Sequence, residues 1–192
     1  MCNLALNFIR DCTSPLHAKL DKDSLLSKIA RADCSYAEYQ MAMCGLARAY
    51  QQIDIALLAG APYCPAGLPS YVARVPFLLA DLQQMGITSP AVPDSLLTPP
   101  SNCASYLGMR YVIEGANLGA KVIAINLSRS GISTQIMLAN SFWSNTNPWQ
   151  NCWPIMVRML AVLQSRAEIA QSAWAARLTF RHFINCLLPQ KE

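Results

Sequence analysis

Ser35-Tyr36-Ala37-Glu38 reads as the start of a helix, and the residues behind it set the fold class. In this pattern the Ser hydroxyl and the Glu carboxylate each satisfy a backbone N–H that has no partner inside the first turn. Tyr39, Met43, Leu46, Tyr50, Ile53 and Leu57 follow at intervals of three or four residues, which places them on one helix face, and Gly60 with Pro62 supplies the stop. The same period returns near the end of the sequence, where Ile169, Ala173, Ala176, Phe180, Phe183 and Leu187 form a second long stripe ended by Pro189.

Working outward, Val72 to Gln84 is helical by pattern and ends at Gly86, and a loop from Thr88 to Ser101 holds Pro90, Pro93, Pro99 and Pro100. A third long helix is predicted from about Asn102 to Leu127, with Tyr106, Met109, Ile113, Leu118 and Val122 as its apolar members. Gly131 and Ser144 to Pro148 are further breaks. Trp149 to Leu163 is then predicted helical, with Pro154 in the first turn, where its missing N–H costs nothing. Strand-type alternation, repeats and low-complexity tracts are absent, so the expected class is all-α. At 192 residues the expectation is one domain spanning 1–192, long enough to bury more than half of its unfolded surface.

Apolar residues make up 53% and charged residues 14%, far from the composition of a disordered chain. The net charge of +4 comes from scattered Lys and Arg, with no basic stripe to track a phosphate backbone, so nucleic-acid binding is not expected. The apolar region from Cys103 to Leu127 is interrupted by Arg110, Glu114 and Lys121, each costly at a bilayer centre, so no membrane span is expected. Met1 to Arg10 has no positively charged leader, and the eight cysteines contain no C-x-x-C pair. The expectation is a cytoplasmic protein with reduced, mostly buried thiols.

Only His17 and His182 offer imidazole. His17 lies on a segment whose apolar edge is Phe8, Cys12, Leu16 and Leu20, two residues after Pro15, which cannot donate to the carbonyl of Asp11 and should bend the helix. Taken alone, His17 reads as a structural histidine rather than a ligand. Gly115 and Gly119 lie on one face of the third helix, at a cost of up to about 1 kcal/mol each relative to Ala. Two readings are open: another helix packed backbone to backbone, or a flat ligand against bare backbone. His182 is read as structural.

Together the two segments resemble the heme oxygenase family. Thr13-Ser14-Pro15-Leu16-His17, followed by Asp21, is similar to the family's proximal helix, and Tyr111-Val112-Ile113-Glu114-Gly115-Ala116-Asn117-Leu118-Gly119-Ala120 to its distal helix in bacterial forms. Leu79-Ala80-Asp81-Leu82 and Leu178-Thr179-Phe180 resemble two further family patterns in the expected order, so the resemblance spans nearly the whole chain.

The resemblance implies a helical bundle in which heme, both cofactor and substrate, is sandwiched between a proximal helix and a distal helix kinked at its glycines. It implies His17 as the axial ligand to iron, with Asp21 either its hydrogen-bond acceptor or a solvated carboxylate. Gly115, Gly119 and Ala120 would approach the distal face. Arg10, seven residues before His17, would meet a heme propionate, joined by Arg158, with Arg110 and Lys121 as further candidates. The implied reaction is oxygen-dependent cleavage to biliverdin, carbon monoxide and iron. Without a flavin or nicotinamide fingerprint, electrons would come from an external ferredoxin or reductase, and a phytochrome is one acceptor for biliverdin. Many relatives carry a distal Asp where this chain has Ala116. Its water-organising role then passes to backbone groups, to Asn117 or to another helix, or turnover is low; the competing reading is a heme-binding or heme-sensing protein of the same fold.

Overall fold

The computed structural model describes residues 3–31, 33–91, 97–144 and 152–189, and among them there are helices and no strands. Four long helices carry the architecture: α1 (Leu4–Asp23), α3 (Tyr36–Ala59), α5 (Cys103–Ser128) and α9 (Arg166–Leu187). Shorter ones connect them: α2 (Leu25–Ile29), α4 (Val75–Gln84), α6 (Ser133–Met137), α7 (Ser141–Ser144) and α8 (Cys152–Leu160). The all-α reading holds. No helix among the described residues is long and apolar enough to cross a membrane.

The capping box expected at α3 is present: the Ser35 hydroxyl accepts from the Glu38 N–H at 3.2 Å while Glu38 accepts from the Ser35 N–H at 3.0 Å. Asn102 with Ser105 and Ser165 with Glu168 start α5 and α9 in the same way. The expected α3 stripe is buried throughout, with Tyr39, Met43, Ile53 and Leu57 fully sequestered. Each such aliphatic side chain stabilises the fold by about 1.5–3 kcal/mol relative to exposure.

α9 is the pillar: it packs most extensively against α5, then against α1 and α3. A Cβ built on Gly108 would lie 2.0 Å from the Ser172 carbonyl oxygen, so bare backbone at 108 is what lets α5 and α9 close on each other. One apolar cluster joins these helices, from Ala5 to Leu187.

Some boundaries differ from the sequence reading. α4 begins at Val75 rather than Val72, because Pro76 favours a first turn and Asp54 of α3 accepts from the N–H groups of Arg74 and Val75, both at 2.8 Å. α6 and α7 lie between the breaks read at Gly131 and at Ser144 to Pro148, in a stretch given no element from the sequence. Asp81, fully buried, accepts from the N–H groups of Ser141 at 2.6 Å and Phe142 at 2.9 Å and so starts α7. α8 carries Pro154 in its first turn as expected, while residues 149–151 of that predicted helix, Pro93 and the 145–148 break lie outside the described residues. The seven described cysteines are free thiols, three buried and four half-buried.

Candidate heme site

α1 runs unbroken through Pro15 to His17. Thr13, buried beside it, turns its hydroxyl back onto the Ile9 carbonyl at 2.8 Å. One turn beyond His17, Asp21 holds the imidazole Nδ1 at 2.8 Å; the two side chains are 62% and 68% exposed. A carboxylate can only accept, so Nδ1 carries the proton and the Nε2 lone pair is presented to whatever lies in front of the ring. No partner meets Nε2 among the described residues. Phe180 of α9 lies alongside, its ring centroid 5.7 Å from that of His17 at an interplanar angle of 59°. Phe8, expected on the buried edge with Cys12, Leu16 and Leu20, is instead 46% exposed, and Ile9 takes the core position.

On α5, Gly119 is uncovered and Gly115 meets only one aromatic ring. A Cβ at Gly119 would meet nothing within 4 Å, and one at Gly115 would meet the Trp153 ring of α8 at 3.5 Å. Trp153 also packs on Tyr111, one turn before Gly115, with centroids 5.5 Å apart. The helix-packing reading of this face therefore fails; the close helix contact is at Gly108. Leu118 and Val122, expected in the core, are 47% and 58% exposed because they share the uncovered side with Gly119. Ala116 is exposed and Ala120 half-buried. α1 and α5 are both anchored on α9 and make no substantial packing with each other.

The other side of α5 is buried and polar. Arg110 donates from Nε at 3.0 Å and Nη2 at 2.8 Å to one oxygen of Glu114, and from Nη1 to the Pro69 carbonyl at 3.1 Å and the Tyr106 hydroxyl at 3.2 Å. Glu114 turns its second oxygen to the Asn117 amide nitrogen at 2.9 Å, and the Asn117 carbonyl accepts from Arg74. The Arg74 guanidinium lies over the Tyr50 and Tyr71 rings at 5.6 and 5.8 Å. Asp54, which holds the Arg74 backbone, also accepts from the Tyr71 hydroxyl at 2.5 Å. Burial pushes the Asp54 carboxyl up despite these donors, and pushes the Tyr71 phenol up further. Arg110, considered for a propionate, is thus corrected to a buried ion-pair partner, 1% exposed and fully engaged.

Arg10 and Arg158 are exposed and have no ion pair among the described residues, and Lys121 is exposed on α5. Sequence reading passed over Arg177. It sits one turn before Phe180, with a buried Nε that has no hydrogen-bond partner among the described residues. Trp153 and Arg74 were missed as well, since neither belongs to a local motif. His182 is structural as read: its Nε2 meets the Ala49 carbonyl at 3.0 Å, and burial lowers its pKa.

These features fit heme. The donor set offers one imidazole with its Nδ1 held by a carboxylate, a glycine face that no helix backbone approaches, and a buried guanidinium nitrogen without a partner among the described residues for an anionic group.

No family model matches the chain. A protein named heme oxygenase from Xanthomonas campestris pv. campestris (strain 8004) is 33% identical over 120 residues, covering 61% of this chain and 68% of that protein. The heme oxygenase of Neisseria meningitidis, solved in its NO- and CO-bound forms, is similar in fold, with a TM-score of 0.68 over 96% of each chain at 17% identity. With that likeness of fold and a sequence relative matched over two thirds of its length, the chain belongs to the heme oxygenase family.

Proposed function

We propose that this chain binds heme through His17 and cleaves it oxidatively to biliverdin, with release of carbon monoxide and iron. One observation carries the reading: a carboxylate-held imidazole on α1 and a glycine pair on α5 that no helix backbone approaches stand on helices both anchored on α9, with no substantial packing between the two.

When bound, heme supplies the iron at which dioxygen reacts and the macrocycle that is opened. The protein's part is positioning and hydrogen bonding. His17 Nε2 would hold iron, with Asp21 accepting from Nδ1–H, fixing the ring and raising its basicity. Gly115 and Gly119 would keep the distal face free of side chains, and Tyr111 with Trp153 would border it. Arg10, Arg158 and Arg177 would meet the propionates. The role of the carboxylate missing at Ala116 would pass to backbone groups, to Asn117 or to a residue of another helix, acting through water.

We read residues 1–192 as one domain in the cytoplasm. It would take electrons from a separate ferredoxin or reductase and pass biliverdin to an acceptor, such as a phytochrome, or free iron for reuse. The test is to titrate purified protein with hemin, add ascorbate in air and follow the spectrum. A Soret band that gives way to biliverdin absorption is the expected result. A band that persists under active electron supply would instead fit a heme carrier.

A further inference from the structure

The glycine face of α5 is not equally open along its length. At Gly119 nothing lies within 4 Å of where a Cβ would stand, and Leu118, Val122 and Ile125 carry exposed apolar surface further along the helix. One turn earlier, at Gly115, the benzo edge of Trp153 meets that position, with Cζ3 at 3.5 Å and Cη2 at 3.9 Å. No other side chain among the described residues comes within 4 Å of it. The indole is held from more than one side. It tilts against the ring of Tyr111, a buried residue of α5, and Pro154 follows it in the first turn of α8. α8 is tied to α1 in turn: Asn3, which caps α1 by accepting from the Leu6 N–H at 3.0 Å, donates from Nδ2 to the Val157 carbonyl at 2.8 Å. Trp153 thus keeps one place relative to both helices that carry the proposed heme contacts.

We propose that Trp153 is a specificity-determining residue, a steric stop at the Gly115 end that sets how far heme slides along α5 and which of its meso edges is presented for cleavage. This rests on the heme reading above. A single axial ligand places the iron without fixing rotation of the ring about that bond, so orientation comes from what meets the ring's periphery. The four meso edges differ only in the side groups beside them, and a rigid obstacle at one end of the face selects among them by size. The indole nitrogen lies on the pyrrole side of the ring system, away from Cζ3 and Cη2, so Trp153 meets the site as an apolar wall and not as a hydrogen-bond donor.

Zinc protoporphyrin tests the contact without turnover, since zinc takes an axial imidazole, is diamagnetic and has no redox chemistry. Its binding is followed as a shifted Soret band that His17→Ala removes. In the wild-type complex the Trp153 ring protons are assigned by their loss in Trp153→Phe, and they should show nuclear Overhauser contacts to the substituents flanking one meso edge. A porphyrin held through His17 with no contact to Trp153 would overturn the proposal. Binding that does not depend on His17 would instead take down the heme reading, and this proposal with it.

The hemin complex reads the consequence. After a single turnover with a reductant in air, the biliverdin isomers are separated by chromatography. Wild type should give one predominant isomer, and in Trp153→Ala the ratio of major to minor isomer should fall by about tenfold, the effect of removing one steric clash. Trp153→Phe, which shortens the wall but keeps an apolar ring, should fall between the two and serves if Trp153→Ala does not fold. An unchanged isomer ratio in a folded, hemin-binding Trp153→Ala would overturn the proposal. The zinc complex decides the matter where no pigment forms.

Discussion

The Nδ1 of His17 lies 2.8 Å from a carboxylate oxygen of Asp21, one helical turn further along α1. Both side chains are largely exposed, so the pair adds little to folding. Its consequence is orientation: with Nδ1–H turned to Asp21, Nε2 is the ring atom left to ligate. His17→Ala should therefore abolish the Soret spectrum of histidine-ligated hemin while leaving helicity and thermal unfolding close to wild type. Asp21→Asn should keep ligation but lower hemin affinity by about tenfold. Hemin titration followed at the Soret band reads both.

Three glycines on one helix should respond differently to the same substitution. Gly119→Ala places its Cβ where nothing lies within 4 Å, so it should raise stability by up to about 1 kcal/mol, while Gly119→Leu should fold and lose hemin binding. Gly115→Ala meets only the Trp153 ring at 3.5 Å and should be nearly neutral in the heme-free protein. Gly108→Ala would bring a Cβ within 2.0 Å of the Ser172 oxygen and should destabilise by about 1–3 kcal/mol or more. Urea unfolding of the three variants, paired with hemin titration, separates a packing glycine from a ligand-facing one.

Arg177, one turn before Phe180, carries a buried Nε without a partner among the described residues, so an anion beside it would supply one. Arg177→Met should weaken hemin binding by about 1.5–3 kcal/mol, the range for a hydrogen bond to a charged group, or roughly tenfold or more. Arg10 and Arg158 are exposed, so Arg10→Gln and Arg158→Gln should each cost less and should be more sensitive to salt. Hemin dimethyl ester, which lacks the anionic groups, should bind all three variants and wild type alike.

His182 sets an acid limit on the fold. Burial is the main cause of its lowered pKa, opposed by its hydrogen bond to Ala49. The neutral ring is thus favoured in the folded state, and the unfolded chain binds the extra proton first. Stability is full above the ordinary histidine value of about 6.5 and falls as pH drops through it toward the lowered folded value. His182→Gln, which can still donate to the Ala49 carbonyl, should flatten this acid limb in unfolding measured from pH 7.5 to pH 5.

Asp81 ties α4 to α7 by accepting two backbone N–H groups at the start of α7. Asp81→Ala should cost about 1–2 kcal/mol or more of stability, since it removes a buried cap and leaves those donors unsatisfied. The Soret position of the hemin complex should be unchanged, because Asp81 acts on the scaffold. Thermal unfolding with a hemin spectrum on the same sample checks both halves.

Much of this was legible in one dimension because it is periodic or local. The α3 stripe from Tyr39 to Leu57, the Ser35 and Glu38 cap and the Pro154 start of α8 are each decided within one or two turns. His17 with Asp21, and Gly115 with Gly119, were equally local, spaced at single turns of one helix. What could not be read was tertiary. Leu118 and Val122 have the apolar character of core residues, and only the uncovered face beside Gly119 explains their exposure. Arg110 looked like a surface cation until Glu114, Tyr106 and Pro69 converged on it. Arg74, Trp153 and Arg177 reach the site from three other helices or their flanks, at separations no spacing rule spans.

The central claim is that this chain opens the macrocycle rather than merely holding it. The most direct test takes the purified hemin complex through a single turnover with a reductant in air. Extracted pigment is identified by chromatography and mass spectrometry, and carbon monoxide is collected from the headspace. The account predicts biliverdin, with one carbon monoxide for each heme consumed, and neither product from His17→Ala. Recovery of intact heme from wild type after electrons have been delivered would contradict it.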